Sequence, residues 1–415
     1  MTAALVHENR IPFWVSSEAF SGAKGAVLEV PDEELDSLLR CCIVFLQMWW
    51  FPRTAEEKAF SDGQLLRQMD TSLFYMFSTT FQLSGLYLVA EVQVIERDPM
   101  EQENDTEVTQ FILLGFSCAP QTKIVLLMVL VVFYLTNVAA NSLFIIVVLS
   151  DSRLRTPMYF FLCNLSILDF CLSSFNTPTV LEGLLVQRIT IIYSQCMAQM
   201  FFSLWVGESE CFLLAVMGLD RYVAICNPLR YQQIMSNRVC ITLAVAIWSS
   251  AFLLSLPTVA MLPFIHFCGH NTVDHLVCEL HALSQLTCMD SQFSRLSAPM
   301  LAFFSLVAPM FFIIFTYLRI IAAILRMPTA ESRRRTFATC GSHLVVVILF
   351  YGTAMVIYLR PKSRASSETD KTLALFYGQV VPALNPLIYT LRNKEVKVSL
   401  KNLYSKAAVC RVFGC

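Results

Sequence analysis

The chain has 415 residues, of which 56% are hydrophobic and only 15% are charged, and its mean hydropathy is +0.59. Soluble domains carry about 25% charged residues, so this composition excludes an ordinary soluble protein and indicates an integral membrane protein. The net charge of −1 hides an uneven distribution of Lys and Arg along the chain. Most of the 15 cysteines lie in apolar runs, where cysteine behaves as a small hydrophobe, so disulfides are expected only in polar loops.

Residues 1–99 contain no recognisable motif and lack the basic start, apolar core and cleavage site of a signal peptide. The apolar patch at 41–51 is too short to span a bilayer, and the charge-free stretch at 71–90 is diluted by Ser, Thr and Gln. We expect a poorly ordered, atypical N-terminal extension over 1–99 and a membrane domain over 100–415. A crossing at 71–90 is the alternative, and it would give eight spans with a cytoplasmic N-terminus.

Seven segments of membrane length follow, each long enough to supply the roughly 20 apolar residues that a transmembrane helix needs. They lie near 124–149, 157–184, 194–226, 240–260, 296–325, 335–359 and 372–391. The fold class predicted is therefore all-α, a seven-transmembrane helix bundle.

The connections between these segments indicate the orientation of the bundle. The first, third and fifth connections and the C-terminal tail are basic, whereas the stretch before the first helix is acidic and 261–294 contains no Lys or Arg. The connection around 360–371 breaks the pattern with four basic residues. Basic loops favour the cytoplasm, so we predict the N-terminus outside and the C-terminus inside. This topology places the sequon at Asn104 outside, where it would be glycosylated.

A charged triplet, Asp220-Arg221-Tyr222, stands where the third helix would leave the bilayer. Charged groups at such a position are costly in free energy, so they are expected to have a function. An acid–base pair can be broken and remade, which suits a switch that is read out on the cytoplasmic side.

Further polar residues are predicted inside the membrane: Asn141, Asp169, Glu208 and Glu210, and Asn385 followed by Pro386. Such groups must face protein or water. They form either a structural hydrogen-bond network or a hydrated centre that rearranges during activation. Pro386 removes a backbone donor and loosens the seventh helix, which would allow Tyr389 to move.

Four cysteines fall in or beside the predicted outer loops: Cys196, Cys268, Cys278 and Cys288. Four such cysteines allow three pairings from sequence alone. Four of the six histidines lie in the predicted loop at 261–295, and histidine beside cysteine can bind zinc or copper. We expect solvated histidines and no metal site, because cysteines in disulfides cannot act as thiolate ligands.

Several longer motifs resemble one known family. MGLDRYVAICNPLRY at 217–231, LRTPMYFFLCNLSILD at 154–169, RRTFATCGSHL at 334–344, LFYGTA at 349–354 and PALNPLIYTLRN at 382–393 are similar to signatures of the odorant (olfactory) receptors. These are rhodopsin-like G-protein-coupled receptors. The resemblance covers roughly residues 108–397, with mild departures such as Gly218-Leu219 before Asp220.

The resemblance implies a signalling mechanism and its residues. It pairs Cys196 with Cys278 and Cys268 with Cys288. It also implies that Arg221 leaves Asp220 on activation, while Tyr317 and Tyr389 turn inward and the sixth helix swings out. The implied switch comprises Asn141, Asp169, Glu210, Asp220, Arg221, Tyr222, Tyr317, Asn385, Pro386 and Tyr389.

The resemblance further implies a ligand site in the outer half of the bundle for a small, volatile, mainly apolar odorant. Our candidates for its lining are Ser203, Leu204, Gly207, Glu208, Leu301, Ala302, Ser305, Tyr351, Ala354, Tyr358 and Gly378. Ordinary helix packing accounts equally well for any one of them. The implied partners are a stimulatory, olfactory-type heterotrimeric G protein and membrane lipid in the plasma membrane, with no nucleic acid and no cofactor.

Other functions fit the sequence less well. A non-odorant rhodopsin-like receptor for an amine would need an acid at Ser203, although Glu208 lies about one turn further in. A transporter often contains internal repeats, and none is evident. An intramembrane enzyme would need a catalytic constellation, and the chain lacks HExxH, GxSxG and paired aspartates.

Overall fold

The computed structural model of the chain describes residues 109–186, 188–260, 271–283, 286, 303–359 and 367–413. The predicted extension at 1–99, the sequon at Asn104 and the start of the predicted fifth helix, 296–302, lie outside the described residues.

Seven long helices account for the seven predicted segments. They are α1 Pro120–Ser150, α2 Pro157–Leu185, α3 Tyr193–Cys226, α4 Asn237–Ala260, α5 Ala308–Leu325, α6 Ala330–Leu359 and α7, which runs from Ser367 to Arg392. A π-helical turn at Phe303–Val307 precedes α5, and a second one at Phe376–Val380 divides α7 into Ser367–Leu375 and Val381–Arg392. Proline opens α1 and α2, where its missing N–H costs no hydrogen bond.

Six helices among the described residues, α1 to α6, are long and apolar enough to cross a membrane. The seventh helix is not apolar enough to be counted with these six, because it contains more polar residues. It begins with Glu368, Asp370 and Lys371, and Gln379 and Asn385 are buried in its interior. Polar residues inside a membrane helix are expected to face the bundle, as these two do.

An eighth helix, α8, spans Lys394–Phe413, where the sequence predicted only a basic tail. Asn393 accounts for its start, because the Asn393 side-chain oxygen accepts hydrogen bonds from the backbone N–H groups of Glu395 at 2.9 Å and Val396 at 3.4 Å. This is the chemistry of a helix N-cap. A break of one residue between α7 and α8 is too short for hydropathy to reveal.

The expectation of a purely helical chain is incomplete, since three short strands form a sheet. Strand β1 (Gln110–Leu114) pairs antiparallel with β2 (Arg188–Ile192) and parallel with β3 (Thr272–Val273). Buried and less buried residues alternate along β1 and β2, as expected for strands covered on one face. Strands this short between long apolar helices carry too weak a periodic signal to be predicted.

The sheet lies at one end of the bundle, which we call the sheet end, and Arg221 lies at the opposite end, which we call the Arg221 end. Helix α3 runs between them and packs against α2, α4 and α5. Two apolar clusters fill the sheet end. One surrounds Cys196 and Cys278, and the other joins Phe116, Leu276, Val277 and Leu375 to α1 and α2.

Candidate functional site

A disulfide anchors the sheet end. Cys196, at the start of α3, is bonded to Cys278, 82 residues later. The backbone N–H of Cys278 also donates to the Gln199 side-chain oxygen at 2.9 Å, and the Gln199 amide donates to Thr179 at 3.0 Å. The bridge, α3 and α2 are thereby tied together. Cys268 and Cys288, the other predicted pair, lie outside the described residues.

In the middle of the bundle, Asp169 of α2 and Asn385 of α7 face each other. The Asn385 amide donates to both carboxylate oxygens of Asp169 at 3.0 Å. The Asn137 amide donates to the backbone oxygen of Asp169 at 3.2 Å, and Asn141 bonds to Asn137 and to the backbone oxygen of Pro382 at 3.3 Å. Three helices therefore meet through one buried polar network, in which Asn137 is a member that the motifs did not identify.

The network continues toward the sheet end through the π-helical turn of α7. The Tyr377 hydroxyl hydrogen bonds to Glu210 of α3, and Glu210 is close enough to Asp169 for their charges to interact. The side-chain oxygen of Gln379 accepts hydrogen bonds from Ser173 at 3.0 Å and Thr177 at 3.2 Å. Neither Tyr377 nor Gln379 was predicted from sequence. A π-helical turn adds a residue and rotates the side chains that follow, which no short motif encodes.

The predicted ligand-lining residues separate into groups. Gly207 lies against Tyr377, because a Cβ at Gly207 would be 3.0 Å from the Tyr377 hydroxyl. Gly378 follows Tyr377 in sequence, and a Cβ there would meet open space. Tyr351 donates to the backbone oxygen of Cys211 at 2.9 Å, and Ala354 is buried one turn away on α6. These residues lie where α3, α6 and α7 approach one another, which is compatible with a ligand site there.

The other candidates for the ligand site contact different parts of the bundle or lie outside the described residues. Ser203 donates to Asn176 of α2 at 3.3 Å. The Glu208 carboxylate accepts from Ser255 of α4 at 2.9 Å, so its observed contact is with the fourth helix. Leu204 packs against the disulfide cluster, and Ser305 is buried in the π-helical turn before α5. Leu301, Ala302 and the side chain of Tyr358 lie outside the described part of the chain.

At the Arg221 end, the guanidinium of Arg221 forms an ion pair with the carboxylate of its neighbour Asp220. The Tyr231 hydroxyl donates to the other Asp220 oxygen at 2.7 Å. Burial, followed by the charge of Asp220, raises the pKa of Tyr231 above its ordinary value, so this phenol remains a donor. Tyr222 is only partly buried and lies beside this cluster in sequence.

A second group at this end links α5 to α6. The Tyr317 hydroxyl lies 2.7 Å from His343 Nδ1 and donates to the backbone oxygen of Cys340 at 3.3 Å. His343 Nε2 lies 3.2 Å from the backbone oxygen of Leu214 in α3, so His343 joins three helices. Tyr389 packs against Phe144, and among the described residues its buried hydroxyl has no hydrogen-bond partner. Because a buried hydroxyl without a partner costs free energy, a rearrangement that gave the Tyr389 hydroxyl a partner would be favoured.

A cavity of about 380 Å³ opens at the Arg221 end between α2, α3, α6, α7 and α8. Arg221, Asp220, His343 and Tyr389 all line it. Its rim is fixed by α8, because the Tyr159 hydroxyl donates to Glu395 at 2.9 Å and accepts from Asn393 at 2.6 Å. Three of the predicted switch residues, Asp220, Arg221 and Tyr389, therefore border one space, whereas Tyr222 and Tyr317 are not among the residues that line it.

No metal site is evident in the described ranges, where no three His, Cys, Asp or Glu side chains gather. The expectation of solvated loop histidines is wrong for His275, which is buried and contacts the backbone oxygen of Val277 and, at 3.9 Å, Glu279.

Comparisons with known proteins identify the family. A family model described as olfactory receptor matches residues 130–407. Olfactory receptor 2K2 from Homo sapiens is 45% identical over 307 residues, which cover 74% of this chain and 97% of that receptor. Olfactory receptor 13D1 from Homo sapiens is 40% identical over 333 residues, covering 80% and 96% of the two chains.

The fold also has a solved counterpart. Squid rhodopsin aligns with a TM-score of 0.55 at 17% identity, covering 71% of this chain and 84% of that one. This likeness shows the fold alone and confirms the predicted seven-helix membrane bundle. Together with the family match, it confirms the motif-based recognition and the prediction of a multi-pass plasma-membrane protein rather than an enzyme. The chain belongs to the olfactory receptor family.

Proposed function

We propose that this chain is an odorant receptor that binds a small, mainly apolar molecule within the helix bundle and activates a stimulatory heterotrimeric G protein. The observation that carries the proposal is the cavity of about 380 Å³ at the Arg221 end, lined by an ion pair that can be broken. A G protein needs such an inner surface, and a ligand bound toward the sheet end needs a path to it.

The buried polar residues supply that path. Tyr377 and Glu210 lie next to the candidate ligand region, Asp169 and Asn385 follow, and Tyr389 borders both the network and the cavity. A ligand shifts a receptor only by binding one conformation better than another. Contacts made at Gly207, Gly378 or Tyr377 would act directly on the π-helical turn, and would therefore favour one arrangement of α7.

We propose that the sheet end faces outward and the Arg221 end faces the cytoplasm. The disulfide at the sheet end supports this orientation, because disulfides persist on the oxidising side of the membrane. The basic residues of the first and third connections and of α8 lie toward the Arg221 end, in agreement with the tendency of basic loops to remain inside.

The ligand site is proposed to be mainly apolar with a few polar anchors, the usual composition of a small-molecule pocket. Its lining would combine Gly207, Tyr351, Ala354 and Gly378 with the residues at 301–302 and Tyr358. Ser203, Leu204, Glu208 and Ser305 would border it. The partner G protein is proposed to be the cyclase-stimulating type, which makes cyclic AMP the readout.

A cyclic-AMP reporter in cells that express the full chain tests this proposal. The probe is a panel of medium-chain aliphatic alcohols, aldehydes and ketones together with cyclic terpenoids. We expect at least one compound to raise cyclic AMP in a concentration-dependent manner, and the R221A variant at equal surface level to remain silent. An equal response from R221A, or none from any compound while the wild-type chain is at the surface, would contradict the proposal.

A further inference from the structure

Lys371 is the most unusual charged residue of the sheet end. It belongs to the first turns of α7, yet its side chain is only 1% exposed. Lysine is almost never fully buried unless it is paired. Its environment therefore indicates what the residue does.

The ammonium group of Lys371 uses all three of its donors. It contacts Asp274 Oδ1 at 2.7 Å, Glu368 Oε1 at 3.0 Å and the backbone oxygen of Gly115 at 3.0 Å. Glu368 also accepts from the backbone N–H of Ser117 at 3.4 Å. A single side chain thus joins α7 to the segment that follows β1 and to the segment that follows β3.

The apolar contacts beneath the ammonium connect the same three segments. Leu375, one turn further along α7, packs in a cluster with Phe116 after β1 and with Leu276 and Val277 after β3. We call residues 115–117 together with 274–277 the cover. The cover also rests on α2, because a Cβ at Gly115 would lie 2.2 Å from the Gly183 backbone oxygen. No side chain fits there, so the cover contacts α2 directly through the backbone.

The cover is linked in turn to the candidate ligand region. Tyr377, which bonds to Glu210 and lies against Gly207, follows Leu375 by two residues. A displacement of the first part of α7 therefore moves both the cover and the π-helical turn.

We propose that Lys371 is a positioning residue that latches the cover to α7 and thereby sets how long a ligand remains in the bundle. The two carboxylates of the latch are about half exposed, at 54% for Asp274 and 50% for Glu368. Water can therefore solvate both acids when the latch opens, while the ammonium loses its burial. The ion pairs of the latch can break and re-form, whereas the nearby disulfide is a covalent link. The part of the proposal that concerns residence time rests on the proposed odorant-binding function.

Hydrogen–deuterium exchange of the purified full chain in lipid nanodiscs tests the latch without any ligand. We expect K371M to increase exchange of the amides at 110–117 and 271–277 by about fivefold, the factor that corresponds to one hydrogen bond of typical strength. K371R, which retains the charge, should stay closer to the wild-type rate than K371M. The control E331Q removes an exposed carboxylate at the Arg221 end, and it should leave exchange unchanged.

The second arm uses the most potent compound of the odorant panel and follows cyclic AMP after washout. D274N and E368Q, each altering a half-exposed acid, should speed the decay of the signal and raise the EC50 by about tenfold, within the usual range of coupling between sites. Combining D274N with K371M should add little to K371M alone, because both changes break the same contact.

Either arm can overturn the proposal. Wild-type exchange in K371M would do so, as would wild-type decay in D274N and E368Q, or an equal effect of E331Q on exchange. If K371M fails to reach the surface, D274N and E368Q decide the matter alone. A receptor that no compound activates contradicts the proposed function and leaves the exchange result as the test of the latch.

Discussion

The two ends of this bundle are held together by different kinds of contact. The sheet end combines a disulfide, a three-stranded sheet and a lysine with three partners. The Arg221 end combines the ion pair between the neighbours Arg221 and Asp220 with tyrosine hydroxyls and a cavity of about 380 Å³. Its other ion pairs among the described residues, Arg153–Asp151 and Arg335–Glu331, also join residues close in sequence. The first arrangement ties segments that are far apart in sequence and resists change, whereas the ion pairs of the second join near neighbours and hold separate helices together less.

This difference suits a molecule that receives a signal at one end and responds at the other. A fixed frame around the ligand converts binding energy into movement of selected helices instead of general loosening. At the responding end, a cavity already lined by movable groups requires little further opening. The buried network around Asp169 lies between the two and would transmit the change.

Breaking the disulfide should have the largest effect. Removal of a bridge that closes a loop of 82 residues is expected to destabilise the fold by about 4 kcal/mol. C196S should therefore be retained inside the cell, with little receptor stained on intact cells. C118S, which removes a thiol that is free in the structure, is the matched control and should reach the surface normally. Normal surface staining of C196S would show that the sheet and the Lys371 latch suffice to hold this end.

Breaking the ion pair should leave the fold and remove the response. R221A leaves Asp220 with Tyr231 as its partner, so we expect the protein to reach the surface and agonist-evoked cyclic AMP to fall more than about tenfold, as for loss of a coupling contact. R230A alters an exposed arginine of the adjacent turn and should respond like the wild-type chain. Equal responses from the two variants would mean that the charge at 221 is not the switch.

Disturbing the connection between the ends should have an intermediate effect. N385A removes both hydrogen bonds to the Asp169 carboxylate and leaves that buried group short of donors, at a cost of about 1–3 kcal/mol. We expect a lower melting temperature and a reduced maximal response at equal surface level. S250A, which removes a hydroxyl whose hydrogen bond among the described residues is to the backbone of its own helix, should change neither quantity.

The Tyr231 hydroxyl offers a finer test of the Arg221 end. Y231F removes its hydrogen bond to Asp220, which is worth about 1 kcal/mol. We expect basal cyclic AMP to rise by about fivefold, since that energy no longer favours the resting arrangement. Y404F, on an exposed tyrosine of α8, is the control. Unchanged basal signalling in Y231F would place the restraint in Arg221 and Asp220 alone.

The sequence predicted some of these features and could not predict others. Apolar runs located all seven helices, and the motifs MGLDRYVAICNPLRY and PALNPLIYTLRN identified residues such as Asp220 and Asn385 that pair with polar side chains in the structure. Hydropathy could not detect the π-helical turn at Phe376–Val380, and so it missed Tyr377 and Gln379. The sequence alone marks Lys371 only as a basic residue of a loop, because its burial depends on Asp274 and Gly115, which are far away in sequence.

The smallest effect is expected from removing residues 1–99. The match to olfactory receptor 2K2 takes in 307 residues and 97% of that receptor, and the 316 residues from Met100 to Cys415 are enough to supply it. A chain that starts at Met100 should reach the surface, carry a glycan at Asn104 and respond to the same compounds with the same EC50 as the full chain. Epitope tags at the N-termini of both forms, stained on intact cells, provide the comparison. A response from the full chain alone would assign a function to the extension. If the tag were hidden on the full chain and exposed on the shorter one, 71–90 would cross the membrane. Polar side chains such as Ser78 and Gln82 would then lie in hydrocarbon despite the free-energy cost.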